Sequence, residues 1–431
     1  MAKRALSKRH SYAQAERFIL SREFFGMKLG LENVSGFLTD IGSPQADLPA
    51  VHISGTNGKG SSAAMLASIL TAAGHRTGLF TSPHLVSLRE RVRIDGDDIP
   101  RRSVSAFVDR HRRELTRRKL SFFEVVTAMA LEHFARQKVD IAVVEVGLGG
   151  RLDATNVLRP VLTVTTDVSF DHVEFLGSTL GQIAWEKAGI VKPGVPHLLG
   201  FLPREAEQMQ TRVCAERGAP LHRLRPGDFR YDATSNRFDF AANGFRITGL
   251  RPALVGCHQI TNAALAVRAA SLARDAGFRI TKKAVREGLA NVLWPGRFQI
   301  LRRPNLPTVV LDVGHNEKGM RTFLDTFGAM FPGRKARVII GFVKRKQHQQ
   351  MIDSLAEIAV DFQLAALPTH RSIDVREMKS TLDFHGLPVQ CRGGLDSAWR
   401  KTLDQTGPDD IIAIVGSHYL VGEFLQKYEH K

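Results

Sequence analysis

Along the first two thirds of the chain, short apolar runs rich in β-branched residues alternate with longer stretches of helical period. Ala50–Ser54 (A-V-H-I-S) is compact and apolar and predicts a buried strand. A glycine-rich turn follows, and Ser61–Ala73 predicts a helix that Gly74 stops. A second helical pattern covers Phe122–Arg136, and buried strands are predicted at Val139–Val146 and Val161–Thr166. Strands alternating with helices imply a parallel sheet with right-handed crossovers. From about Gly200 to Leu250 the pattern is less regular, and its pieces D-F-R-Y-D, R-F-D-F and F-R-I-T read as a small antiparallel excursion.

Pro and Gly break the period at Trp294–Gln299 (W-P-G-R-F-Q). Beyond it the alternation restarts. Strands are predicted at Thr308–Val313, Arg337–Phe342, Phe362–Leu367 and Asp410–Val415, with helices at Glu317–Met330 and near Met351–Ala359. The expected fold class is α/β in two domains. A larger N-terminal domain with a mainly parallel sheet covers 1–293, a linker 294–300, and a smaller α/β domain 301–431.

Composition narrows the class. Hydrophobic residues at 43% and charged residues at 24% supply two sizeable cores and argue against disorder as the main state. No apolar run approaches the ~18 residues that a membrane span needs. The basic N-terminus lacks the apolar core of a secretory signal. Cys214, Cys257 and Cys391 are too far apart in sequence for a zinc cluster or a disulfide framework, which suits a reducing cytoplasm. Sixty Lys plus Arg against 43 Asp plus Glu give a formal charge of +17, which favours anionic partners such as nucleotides, polycarboxylates or nucleic acid. The densest basic run, Arg110–Lys119, reads as a solvated helix face.

The candidate chemistry gathers after predicted strands. G-T-N-G-K-G-S at 55–61 lies between a strand and a helix. Glycines let backbone N–H groups approach phosphate oxygens, and the helix N-terminus adds positive potential. Lys59 would pair with the β- and γ-phosphates, and Ser61 or Ser62 would offer a hydroxyl to magnesium. The spacing departs from the usual G-x-x-x-x-G-K-[ST]. Glu145 ends the second strand, where ligands gather in open α/β sheets and a carboxylate needs a cation or a donor; magnesium and Arg151 are the two candidates. His172, in S-F-D-H just past the third strand, could add a metal ligand, and so could Ser82 in T-S-P-H. No G-x-S-x-G elbow makes a hydrolase of Ser82 and His84. Lys187, beside Glu186, reads on its own as a solvent-facing pair.

Taken together, G-T-N-G-K-G-S (55–61), T-S-P-H-L (81–85), R-E-R-V-R-I (89–94), E-V-G-L-G-G-R-L-D-A-T-N (145–156), D-H (171–172), E-K-A-G-I (186–190), G-R-F (296–298), D-V-G-H-N (312–316) and G-S-H-Y-L-V-G-E (416–423) resemble the folylpolyglutamate synthase/dihydrofolate synthase family of the Mur ligase superfamily. The matches run in order through nearly the whole chain. The resemblance implies a P-loop Mur-ligase-like N-terminal domain and a Rossmann-like C-terminal one. It implies an ATP-dependent ligase that adds L-glutamate to dihydropteroate, to reduced folates, or to both, through an acyl phosphate, in a cleft between the domains. By resemblance, Thr56, Asn57, Gly58, Lys59, Gly60 and Ser61 wrap the ATP phosphates, and Asn262, Arg297, Asp312 and His315 meet the nucleotide. Ser82, Glu145 and His172 hold two magnesium ions, with potassium a further cofactor. Lys187 corresponds to a lysine carbamylated in the family, which turns a cation into an anionic oxygen ligand. Lys59, Lys187 and His172 are thus the catalytic candidates. Leu29, Gly30, Phe122, Phe123, Glu124, Leu152, Asp153 and Ala154 match pterin-binding positions, with Asp153 hydrogen-bonding the ring. The implied partners are small molecules (dihydropteroate or folates, L-glutamate and ATP) for a cytoplasmic monomer that engages neither nucleic acid nor membrane. The chain departs from the family in carrying G-F-V-K-R-K-Q at 341–347, basic at 344–346 where acidic residues are usual, and in Phe170, Trp185 and Gly314.

Overall fold

The computed structural model describes residues 10–26, 30–233, 235–344, 348–369, 372–382 and 386–429. The chain divides into two compact units. One is drawn from residues up to Pro83, Leu88–Ala253 and Ile260–Val292; the other from His84–Ser87, Leu254–Gln259 and Leu293 onward.

The first unit is built on β1 (Ala50–Ser54), β2 (Thr77–Phe80), β3 (Val92–Ile94), β4 (Asp97–Asp98), β5 (Ile141–Glu145), β6 (Leu162–Thr165), β7 (His197–Leu199) and β8 (Leu221–Arg223), in the spatial order β4-β3-β2-β5-β1-β6-β7-β8. From β2 to β8 every neighbouring pair is parallel; β3 and β4 add an antiparallel edge. β1 and β5 are buried at all five positions, because helices cover both faces of a parallel sheet. Their near-continuous apolar runs in the sequence have that cause. The helix Lys59–Ala72 is buried nearly all round. The helix Lys282–Asn291 reaches it through Gly288, where a Cβ would come within 2.5 Å of the Ile69 Cα.

The irregular stretch resolves into three parts. The helix Arg204–Glu216 buries only Ala206, Gln210, Val213 and Cys214, too few apolar positions to announce itself in sequence. β8 then closes the main sheet. The expected antiparallel excursion follows as β9 (Phe229–Asp232), β10 (Arg237–Ala242) and β11 (Phe245–Leu250). The basic run 110–119 falls largely on the helix Arg101–Arg117, whose arginines ring a narrow apolar stripe of Val104, Phe107, Val108 and Leu115.

The second unit holds β12 (Gln299–Leu301), β13 (Thr308–Asp312), β14 (Ala336–Ile340), β15 (Ala359–Ala365), β16 (Val389–Arg392) and β17 (Ile411–Val415), ordered β12-β13-β17-β14-β15-β16. All neighbours are parallel except β12 and β13. β12 begins inside the segment read as a linker, because antiparallel pairing with β13 makes a strand of Q-I-L. The helix read to Ala359 ends at Leu355, and β15 starts at Ala359, which pairs with Ala336 across a register shift. Strand pairing overrides local helical period there. Among the described residues no helix is long and apolar enough to cross a membrane.

Candidate active site

β5, β1 and β6 are parallel neighbours, so the segments after Glu145, Ser54 and Thr165 leave the same edge of the sheet. The connections from β1 and β6 run to opposite sides, toward β2 and β7, and this reversal opens the crevice in which ligands of α/β sheets bind. The glycine loop lies at that point. Gly58 caps the helix Lys59–Ala72 with φ 79°, in the left-handed region. A Cβ there would meet Asn262 Oδ1 at 2.5 Å, so Asn262 is held against the loop. Gly55 is pressed harder still: a Cβ would stand 1.9 Å from Thr166 Oγ1. The helix directs its N-terminal amides and the positive end of its dipole at this crevice.

Two ammonium groups converge on one carbonyl. Lys59 Nζ donates to Gly55 O at 3.0 Å and Thr56 O at 3.1 Å, and Lys187 Nζ donates to Gly55 O at 2.7 Å. Lys187 is 3% exposed, not solvent-facing. Its neighbour Glu186 instead meets Arg151 at 2.8 Å, and that guanidinium lies 4.5 Å over the Trp185 ring. Consecutive helical residues point about 100° apart, so one can face the crevice while the other faces outward. Burial first, and Lys59 second, lower the Lys187 ammonium to about 7, with Asp167 and Asp171 opposing them.

The proposed metal ligands are less tightly grouped. Glu145 is buried at the end of β5, and its Oε2 accepts from the Ser82 backbone N–H at 2.9 Å. The pairing with Arg151 weighed from sequence is replaced by the Arg151–Glu186 pair. His172 has φ 49° and its Nε2 lies 3.8 Å from Asp171 Oδ1. Among the described residues no three His, Cys, Asp or Glu side chains stand close enough to hold a metal unaided. A buried carboxylate that meets the backbone of Ser82 still fits magnesium. That ion takes one or two protein oxygens and fills the rest of its shell with phosphate and water.

The pterin-matching residues surround the same unit's Gly147–Ala154 turn. Phe123 lies over Gly147, where a Cβ would approach its ring to 2.4 Å, and Phe122 is covered by Arg91 at 4.9 Å. Glu124 is buried and closes a capping box: its Oε2 accepts from Ser121 N–H and Oγ–H, both at 2.7 Å. Gly30 N–H reaches Leu152 O at 3.5 Å. Asp153 accepts from Leu148 N–H at 2.9 Å, Thr155 N–H at 3.0 Å and Thr155 Oγ–H at 2.5 Å. Burial pushes its carboxyl up against those hydrogen bonds. Ala154 is buried in the next turn. Leu29 lies outside the described residues, as do Arg345 and Lys346 of the basic stretch.

In the second unit Asp312 ends β13. Its Oδ1 accepts from Gly314 N–H at 2.6 Å and its Oδ2 from Phe298 N–H at 2.8 Å, which ties it to the residue after Arg297. Burial raises its carboxyl and the Arg297 charge opposes. His315 Nδ1 lies 2.9 Å from Val313 O, and its ring packs on His418 with centroids 5.2 Å apart.

Sequence reasoning passed over Asp167. Its Oδ1 accepts from Thr56 N–H at 3.0 Å and Asn57 N–H at 2.6 Å. The available signal was an acidic residue directly after a β-branched strand, facing a glycine loop.

A model of the Mur ligase middle domain matches residues 53–270, and one of the Mur ligase glutamate ligase domain matches 296–418. The Bacillus subtilis dihydrofolate synthase/folylpolyglutamate synthase is 31% identical over 437 residues, covering 97% of this chain and 99% of the relative. The solved structure of Escherichia coli FolC in complex with DHPP and ADP is similar with a TM-score of 0.85 and 29% identity, covering 98% of each chain. That of a Thermotoga maritima folylpolyglutamate synthase has a TM-score of 0.84 and 32% identity, covering 96% of this chain and 98% of the other.

Proposed function

The chain belongs to the dihydrofolate synthase/folylpolyglutamate synthase family of Mur ligases, and on that footing we propose which residues carry its reaction. It is an ATP-dependent ligase that joins L-glutamate to a folate-type carboxylate. A carboxylate oxygen of the acceptor attacks the γ-phosphorus of ATP and ADP leaves, forming an acyl phosphate. The amine of glutamate then attacks the acyl carbon, phosphate departs, an amide forms and the amine gives up a proton.

The observation that carries the assignment of roles is the convergence of Lys59 and Lys187 on the Gly55 carbonyl at a helix N-terminus. Thr56–Ser61 form the phosphate loop with Asn262 against it, and Lys59 offsets charge that spreads over the transferring phosphoryl group. Arg297, Asp312 and His315 are the further nucleotide-binding residues. Ser82, Glu145 and His172 hold magnesium, two ions in all, with potassium as a further cofactor. Magnesium supplies a Lewis acid that polarises phosphoryl oxygens. A buried amine held near neutrality is available to carbon dioxide, which supports carbamylation of Lys187. Gly30, Phe122, Phe123, Leu152, Asp153 and Ala154 shape the pterin pocket; Asp153 keeps its turn folded while presenting the turn to the ring, and Glu124 acts through the Ser121 cap. The protein works on small molecules, as a monomer, in the cytoplasm.

The test is ADP release with ATP, magnesium, potassium and L-glutamate, comparing dihydropteroate with tetrahydrofolate as acceptor. Turnover with both identifies a bifunctional enzyme; turnover with one identifies the single activity. Lys59→Ala lowers kcat by about 10³-fold in a folded protein, the scale of a lost electrostatic contact to the transition state. Retained turnover in that variant rejects the role of Lys59.

A further inference from the structure

The segment after β6 is joined to the glycine loop residue by residue. Thr166 Oγ1 donates to the Asn57 carbonyl at 2.6 Å. Ser169 N–H donates to Thr56 Oγ1 at 3.1 Å, and the Asn57 side-chain amide donates to Ser169 Oγ at 3.3 Å. Asp167 stands between these anchors, 9% exposed. One of its carboxylate oxygens receives two successive backbone N–H groups, from Thr56 and Asn57. Consecutive amides aimed at one point form the nest that loops offer to anions, and hydrogen bonds to an ionised acceptor are about twice as strong as neutral ones. Here the anion is the chain's own. Thr56 N–H also reaches the Asp167 backbone carbonyl at 3.0 Å, whereas for Asn57 N–H the carboxylate is the acceptor. A swing of the carboxylate away would take this acceptor from a partly buried donor, which costs part of the desolvation of that group. The first helical turn, from Lys59 onward, is separate from these two amides and faces the crevice.

We propose that Asp167 is a positioning residue of the nucleotide site: its carboxylate fixes Thr56 and Asn57, so that Lys59 and the first-turn amides meet phosphate without rearrangement of the loop. The inference rests on the reading of this loop as the ATP site. Its energetic logic is pre-organisation, in which the ordering cost of the loop is met on folding instead of on binding. A carboxylate that merely competed with phosphate for the same amides would act with the opposite sign.

Calorimetric titration of magnesium–ADP into the wild type, Asp167→Ala and Asp167→Asn separates the two, together with the ATP KM and kcat of each. Asp167→Ala weakens ADP by about tenfold or more and raises the ATP KM by a similar factor, with kcat changed less. Asp167→Asn, which keeps an acceptor oxygen in place, recovers ADP affinity to within about threefold of wild type. Unchanged or tighter ADP binding by a folded Asp167→Ala overturns the proposal. Amide exchange on the wild type decides the matter even if that variant does not fold. The Thr56 and Asn57 amides are protected before ADP is added and unchanged after it, while those of Lys59 onward gain protection. Unprotected Thr56 and Asn57 amides, or protection that appears only with ADP, overturn it. A folded wild type that binds no ADP would instead reject the ATP reading of the loop.

Discussion

Replacing Lys187 with methionine keeps the unbranched stem of the side chain and removes its amine. In the folded protein that amine is pulled down from 10.5 to about 7 by burial and by Lys59. In the unfolded chain it titrates near the ordinary lysine value. Between the two values the unfolded chain holds a proton that the native chain has released, so stability rises with pH across this window. Below about pH 7 both states are protonated and the full cost of burying the cation is present; the cost is relieved as pH rises toward 10.5. A full pH unit inside the window is worth about 1.4 kcal/mol. With half-titration at the lower edge, about 2 kcal/mol separates pH 7 from pH 9. Urea unfolding of wild type and Lys187→Met in carbonate-free buffer reads this directly. The stability of the wild type relative to the variant grows by about 2 kcal/mol over that interval. A difference that stays flat with pH refutes the argument that the Lys187 amine is buried next to a second ammonium. Bicarbonate labelled with carbon-13, added at about pH 8, yields a carbamate carbon signal in the wild type and none in the variant if Lys187 is carbamylated.

Asp153→Ala leaves the Leu148 and Thr155 donors without their acceptor and costs about 1–3 kcal/mol of stability, read by thermal unfolding, together with at least about tenfold in dihydropteroate affinity. Asp153→Asn retains most of the stability, so an unchanged dihydropteroate affinity in both variants rejects the pterin role. Gly55→Ala puts a Cβ 1.9 Å from Thr166 Oγ1 at a φ of 151°. The clash costs about 1–3 kcal/mol, the scale of overpacking, and abolishes measurable ADP binding. Adding Thr166→Ala to that variant restores part of both, and a double variant no better than the single one rejects the steric argument.

Much was determined by local sequence. Apolar, β-branched runs bounded by glycine predict β1, β5 and β6, because strands buried on both faces leave no room for alternation. G-T-N-G-K-G-S and E-V-G-L-G-G-R-L-D-A-T-N are contiguous, so the chemistry they carry and the family they indicate are legible without a fold. Tertiary structure decided what depends on distant partners. β12 and β16 exist because neighbouring strands supply their hydrogen bonds, not because Q-I-L or V-Q-C-R has strand character of its own. Lys187, which beside Glu186 reads as a surface ion pair, turns inward because the helix that bears it packs on the turn holding Gly150 and Arg151. There the Glu186 and Lys187 carbonyls leave no space for a Cβ at Gly150. Asp167 has no motif around it, and its role follows from β6 lying beside β1, which brings residues about 110 positions apart within hydrogen-bond distance. A motif records which groups are close along the chain. The proton affinity of Lys187 and the shape of the glycine loop depend on groups brought close by folding, and those were set by the packing of the sheet.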